Sequence, residues 1–287
     1  FQVHSIHIEK MVNRVSICEI ELLDGNVSTE DFPISDSDTF VPGNEIEILV
    51  GYENSNKSVF KGIVTQQSIK ISKDSGSLLV VTVKDKSIKM TVGRSNAYYT
   101  KTKDSDVMST LIGNHGLSAD VTATSTELKE IIQYYATDWD FMLARADING
   151  MIVTTESGKV SVQKPDDETS EVLKLSYGDD ILEFEGELNA INQLKSVKSS
   201  SWDYGSQQIS SQESTTSNYG IGNITSSTLS EVVGLSAYNL QTPAMLSSGE
   251  LTSWSKALST KSEYAKVTGQ VKFQGSSSAL PGKILEL

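Results

Sequence analysis

The stretch from Ile131 to Val153 constrains the fold most, because it contains in succession the sequence signals for a strand, a capped helix, a turn and a second strand. Its first five residues are branched, polar or aromatic in the manner of a β-strand. Thr137, followed three residues later by Asp140, predicts a helix N-terminus of the capping-box type, with Asp in the usual Glu position. Gly150 occupies the position after the helix that favours a left-handed residue. The stretch therefore predicts a strand–helix–strand unit.

The predicted central helix covers residues 138–149, and its spacing places a continuous apolar stripe on one face. The stripe follows the i, i+3, i+4, i+7 pattern of a helix packed against a core, with Phe141 widening it. Its members are Trp139, Met142, Leu143 and Ala146. Asp138 and Asp140 lie in the first turn, where the helix dipole favours negative charge.

Three acidic residues of this region, Asp138, Asp140 and Asp147, raise the alternative of an acidic catalytic or metal site. Such a site needs a base, a nucleophile or further ligands nearby, and the sequence supplies none of them. Capping, dipole and packing roles are therefore the preferred interpretation.

A second patterned stretch alternates apolar and acidic residues between positions 182 and 188. Strand periodicity places alternate side chains on opposite faces, which predicts a strand with one buried and one outward face. The buried set is Leu182, Phe184 and Leu188; the outward set is Glu183, Glu185 and Glu187. The three glutamates form either a solvated face or a candidate interface with a basic partner surface, such as a neighbouring subunit.

The 287 residues carry a formal net charge of −13, which argues against general binding to nucleic acid or to anionic membranes. No run approaches the roughly 20 apolar residues of a membrane span, so no stable membrane insertion is expected. A single cysteine, Cys18, excludes an intrachain disulfide, and three histidines are few for metal chemistry. The sequence contains no P-loop, nucleophile elbow, zinc-type spacing or dinucleotide fingerprint. We therefore predict no cofactor, no metal site and no catalytic residue.

The fold class predicted is mainly β with an α+β insertion, organised as two related small β-barrels of which the second is interrupted. Residues 203–246 are rich in Ser, Thr, Gln, Asn and Gly, and predict a loop-like excursion or a partly disordered insertion. The expected division is a first barrel over 1–96, an α/β domain over 97–175, a second barrel from 176–202 and 265–287, and a Ser/Thr-rich insertion with a helix over 203–264.

A short internal repeat supports the duplication of the barrel. Pro42-Gly43 and Pro281-Gly282 each introduce a strand in which apolar residues flank a glutamate, Ile46 to Ile48 in the first copy and Leu285 to Leu287 in the second. Chance similarity over seven residues is the alternative interpretation.

Three segments resemble the VgrG family, the spike and hub proteins of type VI secretion and related contractile injection systems. The main one is Tyr134 to Phe141 followed, after the helix, by Ile148 to Met151; Val59 to Val64 and Val197 to Asp203 are the others. The family is similar in fold to the baseplate hub of contractile phage tails. The resemblance covers about residues 1–200 and 245–287.

The resemblance implies a structural hub rather than an enzyme. Three copies would form a homotrimer whose six barrels have pseudo-sixfold symmetry, joining a hexameric, Hcp-like inner tube to a trimeric puncturing spike. Expected partners are the tube protein, baseplate components, a spike tip protein and effectors. The particle would assemble in the cytoplasm and be delivered outside the cell on firing.

Two alternatives of other classes are a tail-associated cell-wall hydrolase and a carbohydrate- or receptor-binding β-module. The hydrolase would need two acids on opposed walls of a cleft, and the binding module would show an exposed aromatic platform. The copy of the Pro-Gly repeat at 281 has no strands after it, so the second barrel is expected to be an incomplete part of a longer protein.

Overall fold

The computed structural model describes residues 1–26, 28–52, 54–72, 76–165, 170–215 and 219–287. Within these ranges most of the regular structure is β, with a curled half-barrel sheet at the start of the chain, and the predicted mainly β fold class is confirmed. No helix in the described ranges has the length and apolar content needed to cross a membrane.

The first sheet is antiparallel, with strand order β1-β2-β5-β4-β3. Its strands are β1 (Val3–Glu9), β2 (Ile17–Leu23), β3 (Glu45–Tyr52), β4 (Ser55–Ser72) and β5 (Gly76–Lys84). Cys18, Leu22, Leu79 and Val83 belong to the apolar cluster that the sheet encloses. Burial, with a smaller contribution from the neighbouring charge of Glu19, raises the pKa of the Cys18 thiol to about 12, so this cysteine is a packed apolar residue.

The α/β part follows, and it has its own apolar core. Two short 3-10 helices, Asp38–Phe40 and Lys86–Thr91, precede it. Its elements are β6 (Ser95–Lys103), α1 (Asp104–Asn114), β7 (Ser118–Val121), β8 (Glu127–Ala136), α2 (Asp138–Ile148), β9 (Ile152–Glu156) and β10 (Lys159–Gln163). β6 and β8 form an antiparallel pair, and β10 lies between β7 and β9 in a three-stranded sheet. The predicted central helix is therefore α2, with Asn149 as its C-cap.

The C-terminal part of the chain contains seven strands and two helices among its described residues. Its elements are β11 (Glu171–Lys174), β12 (Ile181–Leu188), β13 (Ser196–Asp203), β14 (Gln208–Thr215), α3 (Ser226–Val233), β15 (Tyr238–Thr242), α4 (Ser248–Tyr264), β16 (Val267–Phe273) and β17 (Ile284–Glu286). β11 pairs with β17, β12 pairs with β16, and β13 lies between β14 and β15. Between β14 and β16 the chain runs through α3, β15 and α4, and β15 joins the sheet of β13 and β14.

The segment 203–246 was predicted to be a loop-like excursion, and that interpretation is wrong for most of its described residues. β14, α3 and β15 all lie within it, while residues 216–218 are outside the described ranges. One reason is that α4 packs on this sheet with several hydroxyl groups beside the buried Leu251 and Ala257. Ser199 Oγ donates to the carbonyl of Leu251 at 2.7 Å, and the hydroxyls of Ser214 and Ser255 are 2.7 Å apart. Hydrophobic periodicity carries no signal for such packing.

Both copies of the Pro-Gly repeat form the same local turn. The N–H of Asn44 donates to the carbonyl of Val41, and the N–H of Lys283 donates to the carbonyl of Leu280. The glycine has a positive φ in each case, +104° at Gly43 and +79° at Gly282, which a Pro-Gly turn requires. Each turn leads into a strand, β3 or β17. The pairing differs, since β3 is antiparallel to β4 and β17 is parallel to β11.

The first sheet is joined to the α/β part by hydrogen bonds between residues far apart in sequence. The N–H of Asn13 donates to the carbonyl of Val153, whose N–H donates back to the Asn13 side chain. The backbone and hydroxyl of Ser16 bond to Thr155 in the same way. Asp85 Oδ2 accepts from the N–H of Gly158 at 2.9 Å. The β1–β2 connection is thus held against the β9–β10 hairpin.

Candidate functional site

The predicted motif at the start of α2 is an N-terminal cap joined to a buried stripe. Thr137 has extended backbone angles, and its side-chain oxygen accepts from the N–H of Asp140 at 3.0 Å. Trp139, Met142 and Ala146 are buried in the core of the α/β part. Phe141 packs against that core with its ring nearly parallel to the ring of Tyr99, 6.4 Å between centroids.

Asp138 does more than complement the helix dipole, because it collects three side-chain hydrogen bonds. Its Oδ2 lies 2.8 Å from Nε2 of His115, and its Oδ1 accepts from Gln133 at 2.8 Å and from Ser95 at 3.0 Å. Burial acts to raise the pKa of Asp138, but the hydrogen bonds from Gln133, His115 and Ser95 outweigh burial and hold it below its usual value. His115, the C-cap of α1, is thereby tied to the start of α2.

The other two acids of this region lie apart from Asp138 and have different surroundings. Asp140 is exposed, and Asp147 forms an ion pair with Lys261 of α4. Among the described residues, no three His, Cys, Asp or Glu side chains converge as metal ligands would. The three aspartates therefore have separate roles. Asp138 belongs to a partly buried hydrogen-bonded network, Asp140 lies on the helix surface, and Asp147 joins α2 to α4.

Gly150 has two structural requirements, and sequence reasoning found only the first. Its φ of +67° is the left-handed conformation predicted for the end of α2. In addition, a Cβ at this position would lie 3.1 Å from the Cα of Ala257 in α4. Gly150 therefore lets the end of α2 approach the backbone of α4.

The candidate interface glutamates lie on one face of β12, as alternation predicts. Glu183, Glu185 and Glu187 are exposed and face Lys272, Gln270 and Thr268 of β16 in the register of the pair. Glu183 and Lys272 form an exposed ion pair at 2.7 Å, a type that contributes little to stability.

The buried face predicted for β12 is wrong, because the apolar face is also open to solvent. Leu182 and Phe184 are 65% and 60% exposed, and Leu188 is exposed as well. β12 pairs with β16 alone in a two-stranded ribbon, and every residue of β12 after Ile181 is exposed. Alternation correctly separated the two faces, but it could not reveal whether a covering layer exists.

Two further arrangements were missed by sequence reasoning. Arg145 of α2 forms a bidentate pair with Asp104 of α1, Nε to Oδ1 at 2.5 Å and Nη2 to Oδ2 at 3.0 Å. On β6 and β8, three tyrosines and an isoleucine are exposed on the outer surface. They are Tyr98, Tyr134, Tyr135 and Ile132. The only available signal was their high aromatic content, which equally suits a buried strand.

Solved structures with similar folds come from bacteriophage-type tails. The 43 kDa tail protein of prophage MuSo2 from Shewanella oneidensis matches with a TM-score of 0.62 and 11% identity, over 95% of this chain and 82% of that chain. A tail protein from Neisseria meningitidis MC58 matches with a TM-score of 0.56 and 14% identity, over 87% of this chain and 69% of that one.

A third similar structure is an Escherichia coli component of the type VI secretion system, described as similar to the T4 bacteriophage tail proteins gp27 and gp5. It matches with a TM-score of 0.50 and 12% identity, over 66% of this chain and 53% of that chain. Together with the tail proteins, it confirms the predicted hub-like fold class. At this level of identity the likeness concerns the fold.

At the level of sequence, no curated protein matches this chain. The family model described as the Alg8 N-terminal domain matches residues 1–287. The chain therefore belongs to the Alg8 N-terminal domain family.

Proposed function

We propose that this chain is a structural hub segment of a contractile injection machine. In this role three copies form a ring of pseudo-sixfold symmetry that joins a hexameric inner tube to a trimeric spike. The observation that carries the proposal is the fold, which is shared over 95% of the chain with a prophage tail protein. The resemblance of residues 134–141 and 148–151 to VgrG proteins supports the same role.

The proposed ring depends on two similar β regions in each chain. We assign the first to residues 1–96 and the second to 176–202 with 265–287, separated by the α/β domain of 97–175 and the insertion of 203–264. The equivalent Pro-Gly turns at Gly43 and Gly282 support a common origin for the two regions. Three chains would then present six similar units around one axis, which suits docking onto a sixfold tube ring.

The arrangement of polar groups supports a structural role rather than hydrolysis. Asp138 is held by Ser95, Gln133 and His115, and Asp104 is held by Arg145. These carboxylates occupy closed networks instead of the opposed walls of a cleft that a glycosidase would need. A cell-wall hydrolase remains the competing class, and digestion of peptidoglycan by the purified protein would establish it.

The proposed partners follow from the ring. They are a tube hexamer on one side, a spike and its tip protein on the other, and baseplate components and effectors around them. We further propose that the particle assembles in the cytoplasm and leaves the cell on firing. The charge of −13 disfavours nucleic acid as a partner.

The direct test is electron microscopy of assembled particles combined with native mass spectrometry of the purified protein. By mass spectrometry we expect a trimer. In the assembled particles we expect density for this chain between tube and spike, with its two β regions alternating around the axis. A monomer in both experiments, or a trimer away from the tube, would contradict the proposal. If the two β regions of the chain do not superpose, the proposed pseudo-sixfold symmetry of the ring is wrong.

A further inference from the structure

A polar cleft, here named the lysine cleft, lies where three segments far apart in the sequence come together. Its floor is the outer face of the β7–β10–β9 sheet, since Val160 and Val162 are buried in the core on the other face. Lys10, which follows β1, forms one wall, and the turn at Pro281 and Gly282 forms the other. The charged residues that line the cleft are Lys10, Lys159, Lys164, Lys283, Asp120 and Glu156.

The wall formed by the turn is held in place by close packing. A Cβ on Gly282 would lie 3.3 Å from Cδ1 of Ile152 and 3.6 Å from Cγ2 of Thr154, so the turn sits directly on β9. The N–H of Lys283 donates to the carbonyl of Leu280 at 3.2 Å and closes the turn. The cleft is therefore preformed, and a preformed site loses less conformational freedom when a ligand binds.

Lys10 provides the observation that points to an anionic ligand. Its side chain is only 13% exposed, although lysine is almost never buried without a partner. Its Nζ lies 3.5 Å from Oε1 of Glu156, longer than the roughly 2.7–2.9 Å of a charge-assisted hydrogen bond. The rest of the described chain supplies no hydrogen-bond acceptor to this ammonium group. Its N–H donors are therefore available to a ligand in the cleft.

The floor of the cleft adds neutral donors beside the cations. Ser161 and Thr154 are partners across β10 and β9, and neither hydroxyl bonds to another residue that the structure describes. Asp120, the partner of Ser161 on β7, is already neutralised, because Lys159 Nζ lies 2.6 Å from its Oδ2. Ammonium groups beside serine and threonine hydroxyls are a combination that binds phosphate oxygens.

The charge and the size of the cleft favour a small anion. Among the described residues that line it, four are lysines and two are carboxylates, whereas the whole chain carries −13. A cleft lined mainly by one sign of charge concentrates ligands of the opposite sign. Its volume of about 220 Å³ is below the roughly 300–1,000 Å³ of sites for drug-sized ligands. A single phosphate group on a small ligand therefore fits better than a nucleotide.

We propose that the lysine cleft binds a phosphate group, with the Lys10 ammonium and the hydroxyls of Thr154 and Ser161 donating to its oxygens. The group belongs either to a small free phosphate compound or to a lipid headgroup, and both present the same oxygens. Because the cleft joins the end of β1, the β9–β10 hairpin and the turn at Gly282, a bound phosphate would hold these three segments together. This inference goes beyond the proposed hub and does not depend on it.

The test is calorimetric titration and thermal melting of the purified protein with inorganic phosphate, against sodium chloride of equal ionic strength. Phosphate should raise the melting temperature more than chloride does. Lys10→Met keeps the length of the buried stem without its charge and should weaken phosphate binding at least tenfold, and Ser161→Ala should weaken it severalfold. Lys70→Met is the matched control, because Lys70 also lies near a glutamate, 3.4 Å from Glu21, but outside the cleft. Circular dichroism should show that each variant is folded.

The source of the phosphate group is decided by a second titration, with phosphatidylcholine vesicles that contain a minority of phosphatidic acid. Vesicle binding that Lys10→Met abolishes and Lys70→Met preserves would support the site and identify a lipid headgroup as its ligand. Phosphate and vesicle binding that are both absent, or that Lys10→Met and Ser161→Ala leave unchanged, would overturn the proposal. Malonate binding as tight as phosphate binding would show that the cleft selects charge alone and would overturn the assignment to phosphate. If Lys10→Met fails to fold, Ser161→Ala decides the same question.

Discussion

The sheet of residues 1–84 and the helix-on-sheet unit of residues 193–266 bury their contacts in different ways. β2 meets β5 through apolar side chains such as Leu22 and Leu79, which are fully buried. α4 meets β13 and β14 largely through serine hydroxyls beside the buried Leu251, and at its C-terminal end Glu263 and Lys266 form an ion pair with both side chains 1% exposed. The apolar sheet gains stability from area removed from water, whereas the polar unit depends on every buried group finding its partner.

The ion pair is part of a closed buried network, which explains how two charges are accommodated there. Lys266 Nζ donates to Glu263 Oε1 at 2.8 Å, and the Ser226 hydroxyl bonds to the other oxygen of Glu263. Ser226 also donates to Gln193 at 2.6 Å, and Gln193 donates to the carbonyl of Ser262 at 2.7 Å. α3 is thus attached to α4 by polar bonds, and such an attachment should be intolerant of single changes.

The largest expected effect comes from Lys266→Met, which leaves the Glu263 carboxylate buried without its cation. We expect a loss of about 4 kcal/mol in the free energy of unfolding, measured by urea titration. The double variant Lys266→Met with Glu263→Leu removes both charges and should recover most of that loss. A single variant as stable as the wild type would show that the buried pair is not holding the unit together.

In the apolar α/β core, Trp139→Ala should cost about 3 kcal/mol or more, because it leaves a cavity beside α2. Trp202→Ala is the matched control, since Trp202 is partly exposed on β13 and its loss should be much smaller. Equal losses for the two tryptophans in urea titration would contradict the assignment of Trp139 to the core.

Ser255→Ala is expected to cost about 1 to 2 kcal/mol, because it leaves the buried Ser214 hydroxyl without its partner. The double variant Ser214→Ala with Ser255→Ala should cost less than the sum of the single changes, as expected for two groups that bond to each other. Strict additivity in the double-mutant cycle would mean that hydroxyl pairing does not stabilise this interface.

Thr137→Ala should cost about 1 kcal/mol by removing the cap of α2. Thr137→Ser keeps an acceptor oxygen in the same place and should remain close to the wild type. A melting temperature that is the same for all three proteins would exclude a capping role for this side chain.

The smallest effect concerns pH, through Asp138. Because its pKa in the folded protein is lowered, its ionised form contributes stability above the unfolded value of 3.8, and this contribution is lost as pH falls through the folded value. The stability difference between the wild type and Asp138→Asn should therefore be constant near neutral pH and shrink below pH 3.8. A difference that stays unchanged down to the acid limit of folding would disprove a lowered pKa.

The same contrast explains what could be predicted from the sequence. The N-terminal cap at Thr137, the stripe through Trp139 and Met142, and the turn at Gly150 follow from local rules, and the structure contains all three. The mainly β fold class follows from alternation and turn signals. β14 and β15 were missed because serine-rich strands packed by hydroxyl groups have no hydrophobic period to detect.

For the candidate site, local sequence patterns predicted which side chains share a strand face, but not whether another part of the protein packs on that face. Alternation placed Glu183 and Phe184 on opposite faces of β12, yet the absence of a covering layer depends on residues distant in sequence. The bonds from Ser95 and His115 to Asp138 are likewise non-local, spanning 43 and 23 residues. A single sequence contains no direct signal for contacts between residues so far apart along the chain.

The hydrogen bonds between the region of the first sheet and the β9–β10 hairpin have a consequence for synthesis on the ribosome. The bond from Gly158 to Asp85 joins residues 73 positions apart, and those at Asn13 and Ser16 join residues 139 or 140 apart. At about 5–20 residues per second, Gly158 is made roughly 4–15 s after Asp85. For that interval the first sheet must keep its shape alone, with its exposed β1 and β3 edges available to other nascent chains.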